Sequence, residues 1–128
     1  MNALKKQWIK SVIKLTVIGN KPGVLKMHVA KLSELDKKFK VYDKYMIEGL
    51  KLLNGVLDIR IYYQENIIAV IYNEKIVAAQ KIYKWMQVIL DVALDNLEFI
   101  EQHDETKAET IIKKLGEVLK YKVQSLNK

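Results

Sequence analysis

The sequence predicts one α+β domain, a βαββα core with an amphipathic helix added at each end. Three patterns predict it. Apolar and polar residues alternate over 24–30 and again over 57–63, the period of a half-buried strand. A nearly unbroken apolar run fills 67–72, which suits a central strand. Apolar stripes of period 3.6 lie before, between and after these runs. The chain has 128 residues, 50% of them hydrophobic, which is enough for one core and too apolar for a disordered tail. One proline and five glycines leave little room for linkers. Residues 1–128 are therefore read as one domain, with a basic amphipathic helix at 1–18, a core at 21–102 and a C-terminal helix at 107–126.

In the first element Leu4, Trp8, Ile9, Val12 and Ile13 share one helical face, and Lys5, Lys6, Lys10 and Lys14 take the other. The stretch 15–18 holds enough β-branched residues to be extended instead. Gly19 to Gly23 is a turn by composition. In the strand that follows, Leu25, Met27 and Val29 face one way, while Lys26 and His28 face the other. Ser33 with Asp36 resembles a capping box. It opens a helix expected to bury Phe39, Tyr42, Met46, Leu50 and Leu53, ended by Asn54-Gly55. Leu57, Ile59, Ile61 and Tyr63 then alternate with Asp58, Arg60 and Tyr62. Gln64 to Asn66 turns the chain into an antiparallel hairpin with 67–72, where Ile71 is expected to be buried. Asn73 is the expected N-cap of a helix whose stripe is Ile76, Ala79, Tyr83, Met86, Leu90 and Ala93. That helix either runs to about Gln102 or breaks near Asp95, leaving Leu97–Ile100 as a last short strand. Residues 103–106 form a polar loop, and the final helix turns Ile111, Ile112, Leu115, Val118, Leu119 and Val123 inward.

Charge is unevenly placed. Residues 1–51 carry 12 lysines against Glu34, Asp36, Asp43 and Glu48, a net of +8. Residues 52–106 carry four cations against nine acids, a net of −5, and 107–128 carry six lysines against two acids, a net of +4. The first 33 residues hold seven lysines and no acid, which points to an anionic partner for that end. The chain has no cysteine, which excludes disulfides, thiolate metal sites and cysteine nucleophiles. No apolar stretch approaches the ~20 residues that span a bilayer, and the early lysines interrupt any signal-peptide run. The expected location is cytoplasmic, or peripheral at the inner face of a membrane.

Pro22-Gly23-Val24-Leu25-Lys26-Met27-His28-Val29 resembles the entry to the first strand of a cysteine-free subgroup of heavy-metal-associated domains. Leu53-Asn54-Gly55-Val56-Leu57-Asp58-Ile59-Arg60 is similar to that family's corner between its first helix and second strand, and Ile68–Asn73 to its third strand. The resemblance spans roughly residues 21–91. It implies a ferredoxin-like fold. It also implies kinship with the N-terminal regions of bacterial P-type metal ATPases, iron-type pumps included, and with small proteins encoded beside them. The chain departs from the pattern where Val24 and Lys26 replace arginines and Asn54 and Asn73 replace Pro and Asp. The Met-x-Cys-x-x-Cys loop of copper-binding members has no counterpart between Ala30 and Phe39, so copper delivery by thiolate exchange is not implied.

The residues selected for membrane or partner binding are Lys5, Lys6, Trp8, Lys10 and Lys14, which have the composition of an interfacial anchor. Packing of Leu4, Trp8 and Val12 on the sheet is the competing explanation. No metal site is assigned. Glu101, His103 and Asp104 stand as the alternative, because imidazole with carboxylate suits Fe, Mn or Zn. A solvated acidic loop has the same composition. His28 reads as a surface residue, and the adjacent Tyr62 and Tyr63 as amphipathic surface or core groups before phenolate ligands to iron or haem. No catalytic motif is present, and Asp91 with Asp95 reads as a solvated pair. No cofactor is implied. The expected function is a non-enzymatic accessory protein of bacterial metal homeostasis, iron included. It would act through contacts with a metal-transporting P-type ATPase or an associated membrane assembly, with an anionic membrane surface as a further partner. A membrane-bound iron-storage organelle is one such setting. Homo-oligomerisation is compatible with this reading. The alternatives are a nucleic-acid-binding ferredoxin-like module, ranked below because no RNA-recognition strand motif is present, and a direct non-thiolate iron or haem binder.

Overall fold

Lys21-Pro22-Gly23-Val24 closes the first hairpin in the computed structural model of the chain, which describes residues 15–30, 43–95 and 108–127. Pro22 followed by Gly23 at φ 81° is the residue order of a type II turn. The hairpin joins β1 (Leu15–Lys21) to β2 (Val24–Val29). Its first strand replaces the end of the helix expected over 1–18: residues 15–18 take the extended alternative. Thr16, Val17 and Ile18 are β-branched, and pairing Leu15 with Val29 and Thr16 with His28 satisfies their backbone in an edge strand. Residues 1–14, with Lys5, Lys6, Trp8, Lys10 and Lys14, lie outside the described residues.

The chain continues through α1 (Asp43–Lys51), β3 (Val56–Tyr62), β4 (Ile67–Tyr72), α2 (Ala79–Asp95) and α3 (Ala108–Val123). The result is an α+β architecture with a four-stranded antiparallel sheet of order β1-β2-β4-β3. Because β4 runs antiparallel to both neighbours, β2 and β3 are parallel to each other across it, and α1 lies on the connection between them. The edge beside β2 belongs to β1, which precedes it in sequence. The alternative strand at Leu97–Ile100 falls outside the described residues, as does the helix start at Ser33 with Phe39 and Tyr42.

Leu25, Met27, Val29, Ile59, Ile68, Val70 and Tyr72 point to one face and join a single core with the three helices. Ile71 does not belong to it. It is half-buried on the opposite face, paired with Val24 and Asp58, so the fully buried centre of β4 is Ile68 and Val70. A bulge between Val56 and Asp58 turns Leu57 out, 61% exposed, against its expected inward position. Asn73 accepts from the Lys75 backbone N–H through Oδ1, but it caps only a turn, and α2 begins six residues later at Ala79. That leaves Ile76 outside the helix and exposed. The buried stripe of α2 is Ile82, Trp85, Met86, Ile89 and Val92, rotated from the expected one. α3 buries Ile111, Leu115, Leu119 and Val123 as expected, while Val118 is exposed. Beyond α3, the Asn127 amide accepts from Asn54 N–H at 2.8 Å and donates to the Leu52 carbonyl at 3.0 Å, fastening the C-terminal end to the α1–β3 corner.

Candidate functional site

Three surfaces of the described residues have the size or composition of a site. The first is a groove of about 500 Å³ between α1 and α3, floored by Tyr45, Gly49 and Leu52. Gly49 makes it narrow, because a Cβ there would lie 2.7 Å from Leu119 Cδ1. Its rim holds charges of both signs. Lys44 pairs with Glu48 at 4.0 Å and Lys120 with Glu117 at 3.3 Å, all exposed, so the rim selects no particular ligand charge. The second is an apolar cleft of about 400 Å³ between β1 and the start of α2, bounded by Leu15, Val17, Leu25 and Ala79. The Tyr83 hydroxyl crosses it to donate to the Leu15 carbonyl at 3.0 Å.

The third surface is the sheet face turned away from the helices. Strand register arranges it in rows. Thr16, His28, Ile67 and Tyr62 are cross-strand neighbours in one row, and Gly19, Lys26, Ala69 and Arg60 in the next. Lys21, Val24, Ile71 and Asp58 form the third. Lys21, Lys26, Arg60 and Tyr62 are exposed, and Ala69 is buried between the longer side chains beside it. Arg60 Nε donates to Asp58 Oδ2 at 3.1 Å. The Ile59 backbone N–H first, and the Arg60 bond after it, hold the Asp58 carboxyl below its ordinary range.

His28 is half-buried on the sheet's outer face and Tyr62 lies two strands away in the same row, whereas Tyr63 is half-buried in the β3–β4 turn. Asp91 is exposed on α2. Glu101, His103 and Asp104 lie outside the described residues. Among the described residues, no three His, Asp or Glu side chains come together as a metal site. None of the described helices is long and apolar enough to cross a membrane. Comparison with protein-family models, with curated proteins and with solved structures finds no match.

One polar group inside the core was not visible as such in the sequence. The Tyr45 hydroxyl donates to the Ile89 carbonyl at 2.8 Å, joining α1 to α2. Burial pushes its phenol well above the ordinary 10.0. An acid whose folded-state value is raised stabilises the fold fully below its unfolded value and loses that contribution as pH rises above it. Urea midpoints should therefore hold up to about pH 10 and fall beyond it, and Tyr45→Phe should lessen that alkaline fall. An identical alkaline limb in the Phe variant would contradict the assignment.

Proposed function

We propose that this chain is a non-enzymatic accessory protein of bacterial metal homeostasis that works by contact, with a P-type metal ATPase or its associated membrane assembly as partner. One observation carries the reading. Within the residues that resemble heavy-metal-associated domains, roughly 21–91, the chain forms β2, α1, β3 and β4, with β4 between two parallel strands and α1 on the connection. A ferredoxin-like core requires that order; here β1 fills the edge where such a core places its last strand. The absence of cysteine leaves contact in place of thiolate metal exchange as the mode of action. Binding falls to Lys5, Lys6, Trp8, Lys10 and Lys14, which meet an acidic protein or lipid surface at the cytoplasmic side.

The test is fractionation of cells that contain or lack the metal ATPase. The protein is expected in the membrane fraction only when the ATPase or an anionic bilayer is available to it. After dialysis, the purified protein should retain no stoichiometric Cu(I) or Zn(II). A retained equivalent would replace this reading with that of a direct metal binder and send the search to Glu101, His103 and Asp104.

A further inference from the structure

We propose that the outer face of the sheet binds single-stranded nucleic acid without sequence preference, an activity beyond the proposed function and independent of it. The face is formed by four paired strands. Its first row places two planar rings, His28 and Tyr62, on either side of Ile67. Adjacent strands lie about 4.8 Å apart, so the rings stand roughly 10 Å from each other. The next row, displaced by about 7 Å along the strands, places two cations, Lys26 and Arg60, on either side of the small Ala69. A row of rings beside a row of cations matches a strand whose bases stack on one and whose phosphates meet the other.

Charge separates this occupant from the alternatives. Lys21, Lys26 and Arg60 face outward against Asp58, which Arg60 already engages through Nε, leaving the outer edge of the guanidinium outside that bond. A second copy of the chain would set like charges against each other. An acidic peptide would use the cations but leave the exposed Tyr62 ring without a role. Nucleic acid uses both rows. The face offers two lysines, two rings and a single arginine, so backbone contact and stacking dominate over base-edge readout.

The experiment is fluorescence anisotropy of the full chain with labelled oligouridylate of about 12 nucleotides, near the site size of a single small module. Tyr62→Ala and the double variant Lys26→Gln/Arg60→Gln are compared with Lys113→Gln/Lys120→Gln on the helical side. All five positions are exposed, so these variants should stay folded, and circular dichroism melts check that. Tyr62→Ala is expected to raise Kd about fivefold or more, and the double variant about tenfold or more. The helix-side control should change it less than about twofold, and duplex RNA of equal length should bind more weakly than the single strand. Photocrosslinking with a thiouridine-containing strand should label Tyr62 or its row. The proposal fails if oligouridylate does not bind, if Tyr62→Ala has no effect, or if the helix-side lysines matter equally. It also fails if polyglutamate competes as well as the oligonucleotide, which would mark a plain cationic patch.

Discussion

Trp85→Ala should cost about 3–5 kcal/mol, the range for removing a buried aromatic side chain. A domain of this size has only about 5–15 kcal/mol in total. The Trp85 side chain is fully buried on α2, within the one core that joins sheet and helices. Its Nε1–H donates to the Gly49 carbonyl at 2.8 Å, so it also ties α2 to α1. Gly49 in turn sits against Leu119 of α3. Deleting the indole therefore opens a cavity where three helices meet. Trp85→Phe keeps most of the volume and removes the donor, and the Gly49 carbonyl still accepts from Leu52 N–H at 3.2 Å. Its cost should be nearer ~1 kcal/mol. Urea melts of the two variants separate cavity from hydrogen bond. A loss below about 1 kcal/mol for Trp85→Ala would mean that the indole is not packed as described.

Gly55→Ala should be nearly as damaging. Gly55 closes the α1–β3 corner at φ 100°, in the left-handed region, and its carbonyl accepts from Asn73 N–H at 2.7 Å. A residue with a side chain is strained there by about 1–3 kcal/mol. The added methyl would also lie 2.6 Å from Val77 Cγ1 and 3.0 Å from Ile76 Cγ2. Val77 is buried and held by its own turn, so relief requires moving the segment before α2. Overpacking of this kind adds about 1–3 kcal/mol. The expected loss is about 2–6 kcal/mol. Gly116→Ala is the control: it lies in α3 with nothing within 4 Å of the new methyl. Its better helix propensity should stabilise by about 0.5–1 kcal/mol. A neutral Gly55→Ala would contradict the corner.

The inner strands were legible because period 2 is imposed directly by the pleat: Leu25, Met27 and Val29 alternate in sequence and all are buried. β1 was harder to read. Its Val17 and Ile18 are both exposed, so no alternation marks it, and the helical stripe of 4–13 runs straight into it. α2 was placed but rotated, for a different reason. Gln80, Lys84, Gln87 and Asp91 are exposed at helical spacing and mark its polar face, but the expected stripe is phased from Ile76, which lies in the turn before the helix. The bulge that ejects Leu57 is a matter of pairing, not of local pattern. The sheet-face site shares that difficulty. His28, Lys26, Arg60 and Tyr62 each read as outward-facing in their own strand, but only the register across β4 sets rings beside rings and cations beside cations.

The proposed contact function depends on the basic segment before β1. Because β1 begins at Leu15, a truncation that removes the segment must stop at residue 14, since one taken to 18 would cut an edge strand of the sheet. Trp85 fluoresces as Trp8 does and is buried and hydrogen-bonded, so sedimentation and not Trp8 fluorescence is the readout. The deciding measurement is co-sedimentation of the full chain with neutral and anionic vesicles at low and high salt. It is run beside the variant with Lys5, Lys6, Lys10 and Lys14 changed to Gln. Each lysine near an anionic leaflet contributes ~1 kcal/mol, so the variant should bind anionic vesicles up to about a thousandfold more weakly. Salt should erase the anionic preference, while burial of Trp8 and its neighbours leaves a weaker, salt-insensitive remainder. A chain that ignores anionic vesicles at low salt, or a four-lysine variant that pellets as the parent does, would contradict the account.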